Sequence, residues 1–189
     1  MTWYTFFKSV HVVTAAIWVG GATMIQAYAF RILRTGDARR QAEFSKDTEV
    51  VGMRVFMPST LILLLAAIAM MVNRDWSWSQ NWIILGLIAF GLSFVLGAGF
   101  LGPEGGRIAE LIERDGPDSP AVQARIRRIL TISRCELVVL LTVVVNMVVK
   151  PTGNDGWFWG LLVAMVLGIG VVLALSGRGA EQVPAPATE

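Results

Sequence analysis

Four stretches of the chain, residues 9–30, 55–73, 76–103 and 156–177, contain no Asp, Glu, Lys or Arg. Each is long enough, or nearly so, for the roughly 20 residues that cross a hydrocarbon core of about 30 Å as a helix. A fifth uncharged run, 137–149, is shorter and completes a span only with residues on its N-terminal side. In lipid every backbone N–H and C=O must be satisfied within the protein, and a helix does this segment by segment. These runs therefore restrict the chain to one class, an all-α integral membrane protein built as a five-transmembrane-helix bundle. Composition agrees: 16% of residues are charged, where a soluble domain averages about 25%.

The pattern predicts helices over about 3–33, 52–72, 81–101, 126–150 and 157–176, forming one bundle over 1–177. The polar, proline-rich residues 178–189 have nothing to bury and are expected to be disordered. Between helices one and two, "RTGDARRQAEFSKDTEV" is a polar linker with helical spacing. "NRDWSWSQ" is a short turn into helix three. "GPEGG" reads as a breaker that opens an amphipathic helix with Ile108, Leu111 and Ile112 on one face. "DGPDSP" is a turn, and the basic helix "AVQARIRRIL" runs on into helix four, which Pro151 stops. The N-terminal apolar run continues past the usual 7–15 or so residues of a signal peptide into Arg31, so it reads as a first span.

Orientation follows from the basic residues. All but Lys8, Arg74 and Lys150 of the 16 Lys and Arg fall in the loops after helices one and three, or just after helix five. The positive-inside rule puts those loops in the cytoplasm, the N-terminus outside and the C-terminus inside. Trp3, Trp76, Trp78, Trp82, Trp157 and Trp159 then all map to the outer interface, where an indole has both an apolar body and a polar tip satisfied. The basic residues thus have a topological explanation, and nucleic-acid binding is not implied. Cys135 is the single cysteine and has no internal partner.

Small residues recur every fourth position on helix three (Ala89, Ser93, Gly97) and helix five (Gly160, Ala164, Gly168). Such rows let helices approach closely in lipid. They serve packing within the bundle, or contact with a second copy or another membrane protein. No phosphate loop, nucleophile elbow or His-Glu-x-x-His motif occurs.

Polar groups inside a membrane are costly and mark function or a partner. His11, the one histidine, shares a helix-one stripe with Tyr4, Lys8, Ala15, Trp18 and Ala22. Helical rise places it roughly 10 Å below the outer surface. Two readings follow: an interior histidine hydrogen-bonded to a neighbour, or a ligand of haem or copper. Met70, Met71 and Met147 are expected near its depth, and thioethers suit both metals. On helix four, Arg134 and Glu136 fall within the inner leaflet. Arg134 can reach the headgroups, whereas Glu136 is expected to need a partner, with Arg54 or Arg31 as candidates. Its alternatives are a proton relay or a substrate contact. Asn146 and Lys150 share a face near the outer end and read as anchors first and ligand contacts second.

"KSVHVVTAAIWVGG", "FLGPEGGRI" and "NMVVKP" resemble a bacterial family of predicted integral membrane proteins, domain of unknown function 2269, over roughly residues 1–151. The helix-one pattern of His11, Trp18, Gly20 and Gly21 is also similar to copper-resistance protein D-like domains and to the membrane haem-binding protoporphyrinogen oxidase family. That resemblance implies haem binding at His11, and it draws in Glu136 and the closing Lys150–Pro151. It implies a bacterial cytoplasmic membrane protein with haem b or copper held through His11 alone; Met70 and Met147 are candidate cofactor contacts by their expected depth. The alternatives are an accessory or assembly protein working through helices three and five, and a small-solute transporter using Glu136 and Arg134.

Overall fold

The computed structural model describes residues 2–178. Seven α-helices are present: α1 (Trp3–Thr35), α2 (Ala38–Val51), α3 (Met57–Arg74), α4 (Asn81–Leu96), α5 (Gly102–Asp115), α6 (Pro120–Val149) and α7 (Gly156–Arg178). Gly52–Phe56 joins α2 to α3, and Gly97–Leu101 joins α4 to α5, each as a turn of π-helix. The chain thus runs as five continuous helices, each long and apolar enough to cross a membrane. This is the five-helix bundle that the uncharged runs require. The expected tail falls on residues outside those described, except that Arg178 still belongs to α7.

Four of the five spans, with 33, 37, 35 and 30 residues, are longer than a bilayer core. At about 1.5 Å per residue, the 33 residues of α1 extend about 50 Å, well past a core of about 30 Å. Its C-terminal turns join α2, α5 and the start of α6 in a helical cap at the arginine-rich end. The cap has a core of its own: Ala29, Ile108, Val122, Ile126 and Leu130 are buried, with Leu33, Phe44, Leu111 and Ile112 against them. The apolar face expected for the amphipathic segment is the face that α5 buries. Asp37 caps α2 by accepting from Arg40 N–H at 3.1 Å, which fixes the turn out of α1.

A carboxylate pins the cap. The Glu104 side chain is 4% exposed and accepts from Arg125 at 2.5 Å and Arg107 at 3.4 Å, tying α5 to α6. Where α5 ends, Arg114 donates to Asp115 at 2.7 and 2.8 Å. Those bonds hold the exposed Asp115 carboxyl below its ordinary value.

The "GPEGG" segment corrects an expectation, because it does not break the chain: α4, the π turn and α5 form one continuous rod. The linker before helix two likewise continues as α2 straight into α3. The small-residue row of α4 faces inward, with Ala89 5% and Ser93 4% exposed. These two residues of the row therefore serve the bundle. On α7, Gly168 lies against Val138 of α6, while nothing stands within 4 Å of where a Gly160 Cβ would be.

At the opposite, tryptophan-rich end, aromatic rings and cations interlock. Tyr4 and Trp76 meet edge to face at 6.0 Å, and Trp76 meets Trp82 at 5.3 Å. The Arg74 guanidinium stands 4.3 Å over Tyr4, and the Lys150 ammonium 4.6 and 5.1 Å over Trp76 and Trp82. The small glycine pair of α1 divides in role. The Phe56 ring presses on Gly21, at 2.7 Å from where a Cβ would sit, whereas Gly20 faces open space.

Candidate functional site: a chamber between two π turns

The two π turns share a sequence cause. "GMRVFMP" and "GAGFLGP" each place a proline six residues after a glycine, at Gly52–Pro58 and Gly97–Pro103. A proline inside a helix has no N–H for the carbonyl four residues back, and its ring collides with that carbonyl. Widening the preceding turn by one residue relieves both problems. The amide of Met57 accordingly bonds back to Gly52 O, and that of Gly102 to Gly97 O.

Between these widened turns lies a chamber of about 190 Å³. Gly52, Met53 and Phe56 of the first turn line it, as do Gly97, Ala98 and Leu101 of the second. Trp18, Ala22 and Gln26 of α1, Thr48 and Glu49 of α2, Thr60 of α3, Ser93 of α4, and Ser133 and Glu136 of α6 complete the polar and aromatic part of the wall. On α6 the lining runs from Ile126 to Leu140 and stops well short of the Lys150 end. Glu136 stands 14 residues back from it, about 21 Å by helical rise, inside the bundle rather than at a surface.

The electrostatics of the chamber are one-sided. Glu49 and Glu136 line it, and no Lys, Arg or His does. Among the described residues neither carboxylate has an ion pair. The Ser93 hydroxyl lies beside Glu136, and Gln26 Oε1 is buried with no hydrogen-bond partner. The expected pairing of Glu136 with Arg54 or Arg31 is therefore corrected: both arginines are exposed and neither lines the chamber. Arg134, two residues from Glu136, also stays off the wall.

The other sequence candidates lie toward the tryptophan-rich end. His11 Nδ1 sits 3.2 Å from Leu63 O on α3. Since a carbonyl only accepts, Nδ1 carries the proton and Nε2 is left as the acceptor. Met70 is buried on α3, two helical turns beyond Leu63. The Met147 methyl packs on α4, 2.2 Å from where a Gly86 Cβ would be. Asn146, fully buried, donates from Nδ2 to Trp82 O at 2.8 Å and leaves Oδ1 unpartnered. Among the described residues no three His, Cys, Asp or Glu side chains gather that could hold a metal ion. Sequence reasoning passed over Gln26, Glu49 and the π turns. An amide inside an uncharged run and the doubled glycine–proline spacing were the signals available for them.

Five apolar helices, an amphipathic cap and a walled chamber between them define a multi-pass integral membrane protein. The chain belongs to the family described as predicted integral membrane protein, domain of unknown function 2269, whose model matches residues 5–151. That stretch holds the chamber and both π turns, and stops short of α7. No curated protein and no solved structure matches the chain.

Proposed function

We propose that this protein is a solute-binding bundle of the bacterial cytoplasmic membrane, which takes a small, largely apolar solute into the chamber between its two π turns. In this reading the N-terminus is outside and the arginine-rich cap lies in the cytoplasm, as the bias of Lys and Arg supports. The observation that carries the reading is the chamber itself: mostly apolar walls, a few convergent polar groups, and a buried amide oxygen left without a partner. Binding sites are built this way, with apolar surface for affinity and a few polar groups for orientation. The volume is somewhat above the ~150 Å³ of a cavity that holds benzene and below the ~300 Å³ of drug-sized pockets. A compact ligand of about ten non-hydrogen atoms suits it.

The test is to fill the chamber. A Cβ on Gly97 meets nothing within 4 Å, and neither does one on Gly52. Gly97→Leu and Gly52→Leu should therefore fold and occupy the space. Toluene and propylbenzene are expected to raise the unfolding midpoint of the detergent-purified protein and to leave both variants unmoved. A ligand at a hundred times its Kd gives about 2.7 kcal/mol, enough to read. Equal shifts in the variants and the parent would remove the chamber reading. For orientation, Ser79→Cys should react with an impermeant maleimide on intact cells, and Glu113→Cys only after lysis.

A second reading concerns His11. A ligating histidine is usually oriented by donating its other ring N–H to a carbonyl, as His11 does to Leu63. Haem b or copper there would take Met70 or Met147 as a thioether partner. An absorption spectrum with metal analysis, beside His11→Ala, decides it: a Soret band or bound copper lost in the variant supports this reading, and a colourless, metal-free parent ends it.

A further inference from the structure

We propose that the chamber's ligand is an organic cation, a protonated amine on a compact apolar body. The inference rests on the chamber reading above and adds the ligand's charge and hydrogen-bonding sense.

The first support is charge. A carboxyl group in a low-dielectric site stays ionised only beside a counter-charge, and otherwise holds its proton. The protein supplies one elsewhere: Glu104, 4% exposed, is held by both Arg125 and Arg107. Arginines are not scarce near the chamber either, since Arg54 lies within one π turn and Arg134 two residues from Glu136. Neither is turned onto its wall. In this proposal, the positive charge that keeps the carboxylates ionised is brought by the ligand.

The second support is hydrogen bonding. Most of the hydroxyls on the wall have their protons committed to their own helices: Thr48 donates to Phe44 O at 2.8 Å, Thr60 to Phe56 O at 2.7 Å, and Ser133 to Ile129 O at 2.9 Å. What they offer the chamber is lone pairs. Gln26 Oε1, unpartnered, is another acceptor. A wall of carboxylates, hydroxyl lone pairs and an amide oxygen is short of donors, and an ammonium group supplies up to three. An anion would meet two carboxylates and no positive charge there.

The third support is the apolar remainder. Trp18, Phe44, Phe56 and Phe94 line the same space, and aromatic faces attract a cation from about 6 Å. A hard metal ion takes six or more oxygen ligands at short range, which this apolar wall does not provide. An amine with an aromatic or aliphatic body uses both kinds of surface.

The experiment uses the full chain in detergent and three probes of similar size: 2-phenylethylammonium, its neutral isostere propylbenzene, and phenylacetate. Binding is followed by calorimetry and by the shift of the unfolding midpoint. The amine is expected to bind at least tenfold more tightly than propylbenzene, with no binding of phenylacetate. Glu136→Gln should erase the tenfold preference while keeping propylbenzene binding, and Glu49→Gln, closer to the cap, should reduce it in part. Should Glu136→Gln not fold, the Glu49→Gln result and the ranking of the three probes in the parent still decide. Propylbenzene matching the amine, with both lost in Gly97→Leu, overturns the cation and leaves the chamber reading standing. Failure of all three probes to bind overturns both.

Discussion

The tryptophan-rich end and the chamber treat charged groups in opposite ways. At the tryptophan-rich end, the Lys150 ammonium rests on Trp76 and Trp82, Arg74 on Tyr4, Asn146 bonds to Trp82 O, and His11 to Leu63 O. In the chamber, Glu136 and Glu49 line the wall, and among the described residues no basic side chain does; an unpartnered amide oxygen occurs in both places, Gln26 Oε1 in the chamber and Asn146 Oδ1 at the tryptophan-rich end. Buried charges in folded proteins are normally paired, so the carboxylates without a cation are the exceptions that point to function. The contrast is sharper because most residues that first attract attention in the sequence sit at the satisfied end. The cap adds a third case, a buried carboxylate held by two arginines. Glu104 and Glu136 are thus a matched pair that differ in having a cationic partner.

That pair gives the largest expected effect. Replacing Glu104 by Gln leaves Arg125 and Arg107 without their anchor and α5 without its tie to α6. Removing one member of a buried pair costs about 3–5 kcal/mol. The arginines here are 42% and 64% exposed, so about 2–3 kcal/mol is expected, read as a lowered unfolding midpoint in detergent. Glu136→Gln should move the other way. Relieved of an uncompensated carboxylate, the ligand-free protein is expected to gain about 1 kcal/mol while losing amine binding, the usual sign of a residue kept for function. If both substitutions destabilise alike, Glu136 has a structural partner and the contrast between the two carboxylates collapses.

Much of this architecture was legible in the sequence, and for one reason: a bilayer tolerates no charge over a span, so uncharged runs report helices directly. Ile108, Leu111 and Ile112 announced the buried face of α5 by helical spacing. The junctions were harder to read. Glycine and proline in "GPEGG" signal a break in water, yet here they widen a helix by one residue and let it continue, because an interrupted backbone inside or beside lipid has no water to satisfy it. Glu136 was singled out correctly as a polar group in a costly place. Its surroundings could not be read, since whether Arg54 turns toward it depends on how α3 is rotated after its π turn. The chamber likewise arises from four or more helices meeting, which no local pattern encodes.

A smaller effect sharpens the boundary between fastened and open regions. Gly21 sits under the Phe56 ring of the first π turn, while Gly20, its neighbour, faces nothing within 4 Å. Gly21→Ala puts a methyl group 2.7 Å from a ring carbon. The ring must then shift toward the chamber, at about 1–3 kcal/mol for an overpacked site. Gly20→Ala should be neutral or slightly stabilising, since alanine is the better helix former by about 0.8–1.0 kcal/mol. The two are compared by unfolding midpoint, and by probe binding for Gly21→Ala, which should weaken as Phe56 is displaced. Equal midpoints for the two variants would mean that Phe56 has room to move and that the chamber wall is soft at this point.

The smallest effect tests how firmly the satisfied end is satisfied. Lys150 closes α6 in the left-handed region, at φ 51° and ψ 56°, a conformation that disfavours side chains by roughly 1–2 kcal/mol relative to glycine. Its ammonium recovers part of that through Trp76 and Trp82, about 0.5–1 kcal/mol at a site of this exposure. Lys150→Met removes the cation and keeps the backbone strain, so it should cost about 0.5–1 kcal/mol. Lys150→Gly removes both and should come out near neutral. The difference between the two variants in unfolding midpoint isolates the strain, and the loss in Lys150→Met isolates the contact with the rings. If methionine proves as stable as lysine, the rings hold the helix end by packing alone. The tryptophan-rich end would then be an apolar clasp with a cation lying on it, and the comparison with the chamber would rest on the hydrogen bonds of His11 and Asn146.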